Sequence, residues 1–231
     1  MKRLFIASLL AIVFAGVAEA QMPKLSKKEI SQGWKLLFDG KTSAGWTSFR
    51  DGRPFPETGW TIENGVLTIQ PRSRAGDIIT EEEFQDFELS LEFRISEGAN
   101  SGIKYFILPG TTLGLEFQIL DDKTHPDAKE GKDGNRWQGA LYDILPPKGK
   151  KDKPIGKWNH ARIISKGNHV EHWLNGKKIV EFERFTPQWD AMVAGSKYFG
   201  NPQWGTPKKS PILLQDHNDL VSFRNIKIRE L

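Results

Sequence analysis

Residues 86–95 read DFELSLEFRI, a stretch that alternates strictly between polar and apolar side chains. Its apolar residues occupy every second position: Phe87, Leu89, Leu91, Phe93 and Ile95. Because successive side chains of a strand point to opposite faces, a period of two predicts a β-strand with one buried face and one solvated face. Half-buried strands of this kind are typical of antiparallel sheets.

Neighbouring segments show the same period and are joined by turn signals. Residues 60–62 and 66–69 flank Glu63-Asn64-Gly65, which predicts a β-hairpin. Residues 158–182 contain two further turns rich in Gly and Asn, and they predict a three-stranded meander. Short strands separated by such turns, without a long helical period, are typical of an all-β sandwich or barrel.

The remaining segments predict closing strands, short helical turns and long loops. Two closing strands are expected at residues 211–215 and 220–228, the second with a bulge at Arg224-Asn225 where the alternation changes phase. Single helical turns are expected within residues 25–32, where Ser26 and Glu29 match a capping box, and at residues 81–84. Three long stretches show no clear period, at residues 125–138, 145–156 and 186–209. Long loops on a compact scaffold are often functional. The third stretch is rich in aromatic residues and is expected to pack over one face.

The composition limits the class of protein. The chain has 231 residues, 33 basic and 29 acidic side chains, a formal net charge of +4 and no cysteine. This length is sufficient for one domain with a full hydrophobic core. The lack of cysteine excludes disulfides, thiolate metal sites and a cysteine nucleophile. Because the net charge is small and both signs are interspersed, nucleic acid is not expected as a partner.

The first 20 residues have the organisation of a secretory signal peptide. Met1-Lys2-Arg3 is a basic start, residues 4–18 are largely apolar, and Ala18-Glu19-Ala20 suits a signal peptidase. The apolar run is shorter than the ~20 residues that a membrane-spanning helix needs. We therefore expect a bacterial periplasmic or secreted protein that is not attached to a membrane after cleavage. Its expected parts are a signal peptide at 1–20, an N-terminal extension at 21–32 and one domain at 33–231.

Some strands carry polar side chains where a buried strand would be apolar. Five such residues stand opposite the apolar set of their strand or at its end: Lys104, Glu116, Gln118, Gln215 and His217. In the meander, either Glu171 or His172 must share a face with apolar neighbours. Each residue alone fits a solvated outer face, but the set together predicts one polar site beside the loop 125–138.

Six blocks of sequence carry a family resemblance. They read GWKLLFDGKTSAGW from Gly33, FELSLEFRISEGANSGIKYF from Phe87, GLEFQILDDKTHPDA from Gly114, ALYDILPP from Ala140, WNHARIISKGNHVEHWLNG from Trp158 and ILLQDHNDLVSFRNIKIREL from Ile212. In content and order they resemble the 3-keto-disaccharide hydrolase family of bacterial exported proteins. Asn218 stands where many members of that family have Gly, and Asn tolerates the same left-handed turn.

The resemblance implies a fold and a substrate class. The implied fold is a concanavalin A-like jelly roll of two packed antiparallel sheets. The implied activity is cleavage of glycosidic bonds in 3-keto-glycosides, including 3-keto-disaccharides, which a separate enzyme has already oxidised at C3.

The implied substrate defines the chemistry that the site must perform. A ketone at C3 acidifies the proton at C2, so its removal gives an enolate that expels the aglycone from C1, and water then adds. The site needs a base at C2, an electrophile at the enolate oxygen and an acid for the leaving oxygen. We expect Glu116 or His217 as the base, Lys104 or a bound cation at the carbonyl, and His172 as the acid.

Other residues are expected to bind the sugar or a metal. Gln118 and Gln215 offer amide groups to hydroxyls, and three rings are candidates for stacking on the sugar: Trp137, Tyr142 and Trp204. Asp121 and His125 follow the strand of Glu116, and this combination of carboxylate and imidazole suits a divalent cation. The expected cofactor is therefore at most such a cation, and the expected partner is a small carbohydrate.

Two other functions fit a β-sandwich with this sequence. One is a non-catalytic, lectin-like carbohydrate-binding module, because fold does not determine function; Lys104 and His217 argue against it, since a lectin site needs no base. The other is a glucanase-type glycoside hydrolase with paired acids. That pair is not evident here, because Gln118 stands where a second acid would follow Glu116. Aglycone, linkage and oligomeric state are left open.

Overall fold

The computed structural model describes residues 22–50 and 53–231, so the expected signal peptide at 1–20 lies outside the described residues. The described residues form thirteen strands and three short helices. The strands are β1 (Lys35–Leu36), β2 (Trp46–Ser48), β3 (Trp60–Glu63), β4 (Val66–Ile69), β5 (Ile78–Thr80), β6 (Phe87–Ile95), β7 (Asn100–Tyr105), β8 (Leu115–Leu120), β9 (Asn159–Lys166), β10 (His169–Leu174), β11 (Lys177–Glu183), β12 (Leu213–Leu214) and β13 (Val221–Glu230). The helices are α1 (Lys27–Ser31), α2 (Pro187–Ala194) and a 3-10 turn (Pro126–Lys129).

The strands form two antiparallel sheets. The larger sheet has eight strands in the order β11-β10-β9-β6-β13-β4-β3, with β1 also pairing with β13. The smaller sheet has five strands in the order β2-β5-β12-β7-β8. The expected all-β architecture of two packed antiparallel sheets is therefore confirmed.

The alternating stretch around residue 90 is strand β6, in the middle of the larger sheet. Its apolar side chains are at most 4% exposed and face the smaller sheet. Aromatic rings make the contact, with Phe93 6.4 Å from Phe117 and Phe87 6.0 Å from Tyr105 between centroids. Burying each such side chain contributes about 1.5–3 kcal/mol to stability, so this local pattern determines where the core lies.

The predicted hairpin and meander are present, with the expected turn residues in left-handed conformations. Asn64 and Gly65 join β3 to β4 with φ of 53° and 77°. Asn175 and Gly176 join β10 to β11 with φ of 51° and 82°. Positive φ at both central positions matches the twist of antiparallel strands, which explains why Asn-Gly pairs stand there.

Other local expectations were confirmed in part. The pairing of β13 with β6 shifts between Arg224 and Lys227, which confirms the bulge. The strand expected at 211–215 is only β12, two residues long. Residues 81–84 form no helical turn, because Phe84 instead makes a bridge to Ser210.

Helix α2 was not expected from the sequence, although it carries a start signal. Thr186 accepts a hydrogen bond at the N-cap from the backbone N–H of Trp189, and Pro187 occupies the first turn. Both residues are typical of a helix N-terminus, but a helix of eight residues is too short to show a clear period.

The N-terminal extension is attached to the larger sheet. Ser26 and Glu29 form the expected capping box of α1, and Glu29 also pairs with Lys227 of β13. None of the described helices has the length and apolar character needed to cross a membrane.

Two segments pack against the smaller sheet, the long loop at residues 186–209 and the chain at residues 139–142. The loop at residues 186–209 contributes a stack of buried rings, with Tyr198 4.0 Å from Trp204 and Trp204 5.6 Å from Trp189. The backbone after residue 138 runs along the edge of β8, where the Tyr142 amide donates to the carbonyl of Glu116. As a result every residue of β7 and β8 is buried, on the outer face as well as the inner one.

Candidate active site

The floor of the site is the outer face of strands β7 and β8. In the antiparallel register Lys104 lies opposite Glu116, and Gly102 lies opposite Gln118. Their apolar neighbours on the same strands point to the core instead. Lys104 and Glu116 are only 8% and 5% exposed, because the covering loops shield this face from solvent.

A buried ion pair stands in the middle of this floor. The ammonium of Lys104 lies 3.6 Å from a carboxylate oxygen of Glu116 and donates to the Thr112 carbonyl at 3.3 Å. Gly102 makes room for the acid, since a Cβ there would stand 2.3 Å from Glu116 Oε1. Burial raises the pKa of the Glu116 carboxyl, and the charges of Lys104 and Lys197 partly oppose this shift.

Above this floor is a cleft of about 140 Å³. Twelve residues line it: Asn100, Lys104, Thr112, Leu113, Gly114, Glu116, Gln118, Tyr142, Lys197, Tyr198, Gln215 and His217. Six of them are among the residues singled out from the sequence. The expectation that Lys104, Glu116, Gln118, Gln215 and His217 share one face is confirmed, and Tyr142 joins them.

Two amide oxygens in the cleft have no hydrogen-bond partner in the described structure. They are Gln118 Oε1 and Gln215 Oε1, both shielded from solvent. The nitrogen of Gln118 makes only a long contact of 3.4 Å with Asn100 Oδ1. Because an unsatisfied buried polar group costs about 1–3 kcal/mol, these amides fit a ligand that supplies hydroxyl donors.

His217 lies at the exposed rim of the cleft on a tightly held turn. The Asp216 amide donates to Asp77 at 2.9 Å, and the Asp216 carboxylate accepts from the Gly76 amide at 2.8 Å. Asn218 follows with φ of 65°, the left-handed conformation for which Asn was expected to replace Gly. The turn therefore fixes the backbone at His217 while leaving its ring accessible.

Lys197 and Tyr198 line the cleft but were not predicted. They come from the loop after α2, and only the fold brings this loop over β8. The sequence contains no motif around Lys197 that marks it, whereas Tyr198 belongs to the aromatic stretch that was expected to pack over one face.

The expectation that His172 is a catalytic acid is wrong, because the structure places its side chain in the core. Its ring is fully buried between the sheets, where Nε2 pairs with the Tyr105 hydroxyl at 2.7 Å and Nδ1 with the Gly139 carbonyl at 3.1 Å. Burial lowers the pKa of His172 to about 4. The side chain faces the core because it shares the inward phase of Val170 and Leu174, so it cannot contact a substrate.

Two of the three expected stacking rings do not line the cleft. Trp204 is 2% exposed, stacks between Trp189 and Tyr198, and donates its indole N–H to the Gly114 carbonyl, so it supports the cleft wall from behind. Trp137 lies outside the lining, half exposed, with its indole N–H on the Ala128 carbonyl. Tyr142 is the expected ring that does line the cleft.

The expected metal ligands Asp121 and His125 serve the local backbone instead. The carboxylate of Asp121 accepts from the amides of Gly98 and Lys123 and from the Thr124 hydroxyl. His125 caps the 3-10 turn. Within residues 22–50 and 53–231, the one group of three or more side chains spaced for a metal is His169, Glu171 and Glu181, on the larger sheet.

Several known proteins are similar to this chain over most of its length. The family model of the 3-keto-alpha-glucoside-1,2-lyase-like domain matches residues 33–229. The 3-keto-disaccharide hydrolase of Bacteroides thetaiotaomicron is 33% identical over 244 residues, which cover 92% of this chain and 83% of that protein. A crystal structure from Parabacteroides distasonis, provisionally described as a glycosyl hydrolase, is 31% identical with a TM-score of 0.81, covering 91% of this chain and all of that one.

A more distant likeness concerns the fold alone. The exoplasmic domain of VIP36, in its Ca²⁺- and Man3GlcNAc-bound form, is 10% identical with a TM-score of 0.50, covering 85% of this chain and 87% of that one. Together with the topology it confirms the concanavalin A-like jelly-roll sandwich. Because the family model spans most of the chain and the Bacteroides relative exceeds 30% identity over most of its length, this chain belongs to the 3-keto-alpha-glucoside-1,2-lyase-like family.

Proposed function

We propose that this protein cleaves glycosides whose C3 hydroxyl has been oxidised to a ketone, by elimination followed by hydration. Family membership supports cleavage of glycosidic bonds as the general activity, with a carbohydrate as the substrate. The observation that carries the finer proposal is the buried pair of Glu116 and Lys104 on the floor of the cleft.

This pair suits proton abstraction next to a ketone. Glu116 removes the C2 proton as the base, and the raised pKa of its carboxyl makes it a better proton acceptor than an exposed glutamate. Lys104 donates to O3 as negative charge develops there. Because C2 and O3 are only two bonds apart, a carboxylate and an ammonium separated by 3.6 Å can reach both atoms of one ring.

The lining of the cleft disfavours direct displacement by two acids. Glu116 is the one acidic side chain among the twelve residues that line the cleft in the described structure. Retaining and inverting glycosidases need a second carboxyl group near the glycosidic bond. His217 is the second candidate for the base, and its position at the rim places it farther from the floor than Glu116.

The experiment uses a chemically prepared 3-keto-glucoside in deuterated water, with the matching unoxidised glucoside as control. We expect aglycone release from the oxidised substrate alone, and deuterium at C2 of the released 3-keto-glucose. The reason is that elimination breaks the C2–H bond and hydration restores it from solvent. Release without deuterium at C2 would contradict elimination, and equal cleavage of both glucosides would contradict the substrate class.

The same experiment separates the enzyme from a lectin-like module and examines a metal requirement. Binding of the 3-keto-glucoside without any turnover would favour the binding module. A parallel reaction with a chelator should release aglycone at the same rate, since Lys104 supplies the positive charge at O3. Loss of activity with the chelator and recovery with a divalent cation would assign that charge to a metal instead.

We also propose that the protein works outside the cytoplasm, as a domain at 33–231 behind a short extension. The basic, apolar and small-residue regions of residues 1–20 support this proposal. Mass spectrometry of the exported protein should show a chain that begins at Gln21, and an intact N-terminus would contradict export by this route.

A further inference from the structure

The elimination needs an acid for the leaving oxygen, and the burial of His172 leaves that role without a residue. We propose that Lys197 is this acid, donating its ammonium proton to the glycosidic oxygen as the bond to C1 breaks. This inference rests on the proposed function and names one further catalytic residue of the same cleft.

The position of Lys197 suits this role because it faces the floor from the covering loop. In the substrate, C2 lies between C3 and C1, so the groups that serve O3 and O1 must stand on either side of the base. Lys104 approaches Glu116 from the neighbouring strand, whereas Lys197 enters the cleft from the loop after α2. The cleft thus holds one carboxylate and two ammonium groups, each delivered by a different element.

The ammonium of Lys197 is available for a ligand. It lies over two ring faces, 4.0 Å from the centroid of Tyr142 and 5.3 Å from that of Tyr198. In the described part of the chain it forms no ion pair with a carboxylate. Lys104, by contrast, is already engaged with Glu116 and Thr112. The leaving oxygen requires a proton donor that is not already paired with another side chain.

A network of charged side chains fixes the backbone from which Lys197 extends. The Lys197 amide donates to Asp143 at 2.7 Å, and Arg136 donates to the other oxygen of that carboxylate at 2.6 Å. Arg136 also donates to Asp127 at 2.6 Å, and the Tyr142 hydroxyl donates a hydrogen bond to Asp127 at 2.8 Å. One arginine therefore holds both the backbone of Lys197 and the ring beneath its ammonium.

The charges around Lys197 favour proton donation at the right step. Burial lowers the pKa of the Lys197 ammonium, while the negative charge of Glu116 opposes this and Arg136 adds to it. Once Glu116 takes the C2 proton it becomes neutral, so the attraction that held the Lys197 proton is lost. Lys197 then becomes a stronger acid while the aglycone leaves.

The complete cycle balances in protons and electrons. Glu116 takes the proton from C2, and the electron pair of that bond forms the enolate. The enolate electrons form the C1–C2 double bond, the C1–O1 bond breaks with its electron pair on O1, and O1 takes the proton of Lys197. Water then adds to C1 and gives one proton to the neutral Lys197 amine. The Glu116 carboxyl exchanges its proton with solvent and then protonates C2, so the hydrogen that C2 regains comes from solvent.

The test compares two leaving groups. One substrate is the 3-keto derivative of 4-nitrophenyl glucoside, whose phenolate leaves without help, and the other is the 3-keto derivative of methyl glucoside, whose alkoxide needs a proton. Because general acids contribute about 10²–10⁴-fold, Lys197→Met should lose on the order of 100-fold or more on the methyl glycoside and less than about tenfold on the nitrophenyl glycoside. Lys197→Arg should behave similarly, since guanidinium keeps the charge but is a poor proton donor.

Two controls separate this role from a structural one. Lys208→Met, an exposed residue of the same loop, should match wild type on both substrates. In deuterated water Lys197→Met should still introduce deuterium at C2 of uncleaved methyl 3-keto-glucoside, because Glu116 and Lys104 remain.

Four results would overturn the inference. They are equal losses on both substrates, no loss on either, recovery of methyl glycoside cleavage in Lys197→Arg, or the same leaving-group dependence in His217→Asn instead. A wild-type protein that cleaves neither 3-keto substrate would overturn the proposed function as well, so the two failures are distinguishable.

Discussion

The outer faces of the two sheets both carry charged side chains, yet they differ in how those charges are satisfied. On the larger sheet Glu88 accepts from two arginines, Arg162 and Arg229, and Glu92 accepts from Arg224 and Asn225. On the smaller sheet Glu116 has one lysine 3.6 Å away, and two neighbouring amide oxygens have no partner in the described structure.

Cavity size does not indicate which of the two faces binds a ligand, because the larger cavity lies on the face whose charges are paired. A cavity of about 250 Å³ lies on the larger sheet beneath the N-terminal extension, against about 140 Å³ for the cleft on the smaller sheet. In the larger cavity Ser90 pairs with His160 at 2.8 Å, and Glu92 accepts hydrogen bonds from Arg224 and Asn225. Polar groups that hydrogen-bond to one another stabilise the protein, whereas buried polar groups without a hydrogen-bond partner on a covered face indicate a ligand site.

The largest expected effect comes from neutralising one acid on each face. Glu116→Gln should lower kcat/KM for a 3-keto-glucoside on the order of 10³-fold, since the general base is lost. Glu88→Gln should leave kcat/KM unchanged and lower the free energy of unfolding by about 1–3 kcal/mol, because it weakens hydrogen bonds to two arginines. Steady-state kinetics and denaturant unfolding measure both, and activity loss in Glu88→Gln would break the comparison.

The second largest expected effect is the pH dependence of stability that His172 causes. His172 is a buried polar group, and both of its ring nitrogens have hydrogen-bond partners. Its pKa is lowered to about 4 by burial, so the unfolded chain binds its proton more tightly than the folded one. The free energy of unfolding should therefore decrease as pH falls from about 6.5 towards 4, by roughly 3 kcal/mol from this residue. Chemical unfolding at several pH values should show this slope reduced in His172→Gln.

His172→Gln also sharpens the comparison through activity. Because His172 lies between the sheets and not in the cleft, kcat for the folded variant at neutral pH should stay within about threefold of wild type. A loss as large as that of Glu116→Gln would return His172 to the catalytic residues.

The smallest expected effect comes from the glycine beneath the ion pair. In Gly102→Ala the new Cβ would meet Glu116 Oε1 at 2.3 Å, so the carboxylate must move. Displacing a catalytic group by about 1 Å costs up to 10²-fold, and we expect kcat to fall about tenfold or more with little change in stability. Gly195→Ala, whose Cβ would have ordinary contacts at 3.6 Å, is the matched control, and equal activity in both variants would show that Glu116 needs no exact position.

Much of the fold followed from local patterns. The alternation in β6, the Asn-Gly turns and the bulge in β13 each depend on residues close together in the chain, so the sequence alone predicted them. Short elements were less predictable. Helix α2 and strand β12, with eight and two residues, are too short to carry a clear periodic signal. They are stabilised by contacts with residues far away in the chain.

The candidate site was predictable to the extent that strand phase determines it. The polar positions of β7 and β8 share one face because side chains alternate at every residue, and this local rule placed Lys104, Glu116 and Gln118 together. The same rule left Glu171 and His172 undecided, because both alternations of that strand were compatible with its apolar neighbours. The meander's packing against the smaller sheet resolved the choice and placed His172 in the core.

The sequence by itself therefore determined the strands, their turns and the polar face that carries Glu116, because these depend on the period of two and on backbone conformation. Only the tertiary structure decided that the face is covered rather than solvated, that Trp204 supports the wall from behind, and that Lys197 enters the cleft. These features depend on where long loops pack. Loop packing is decided by contacts between residues far apart in the chain, and no local pattern encodes them.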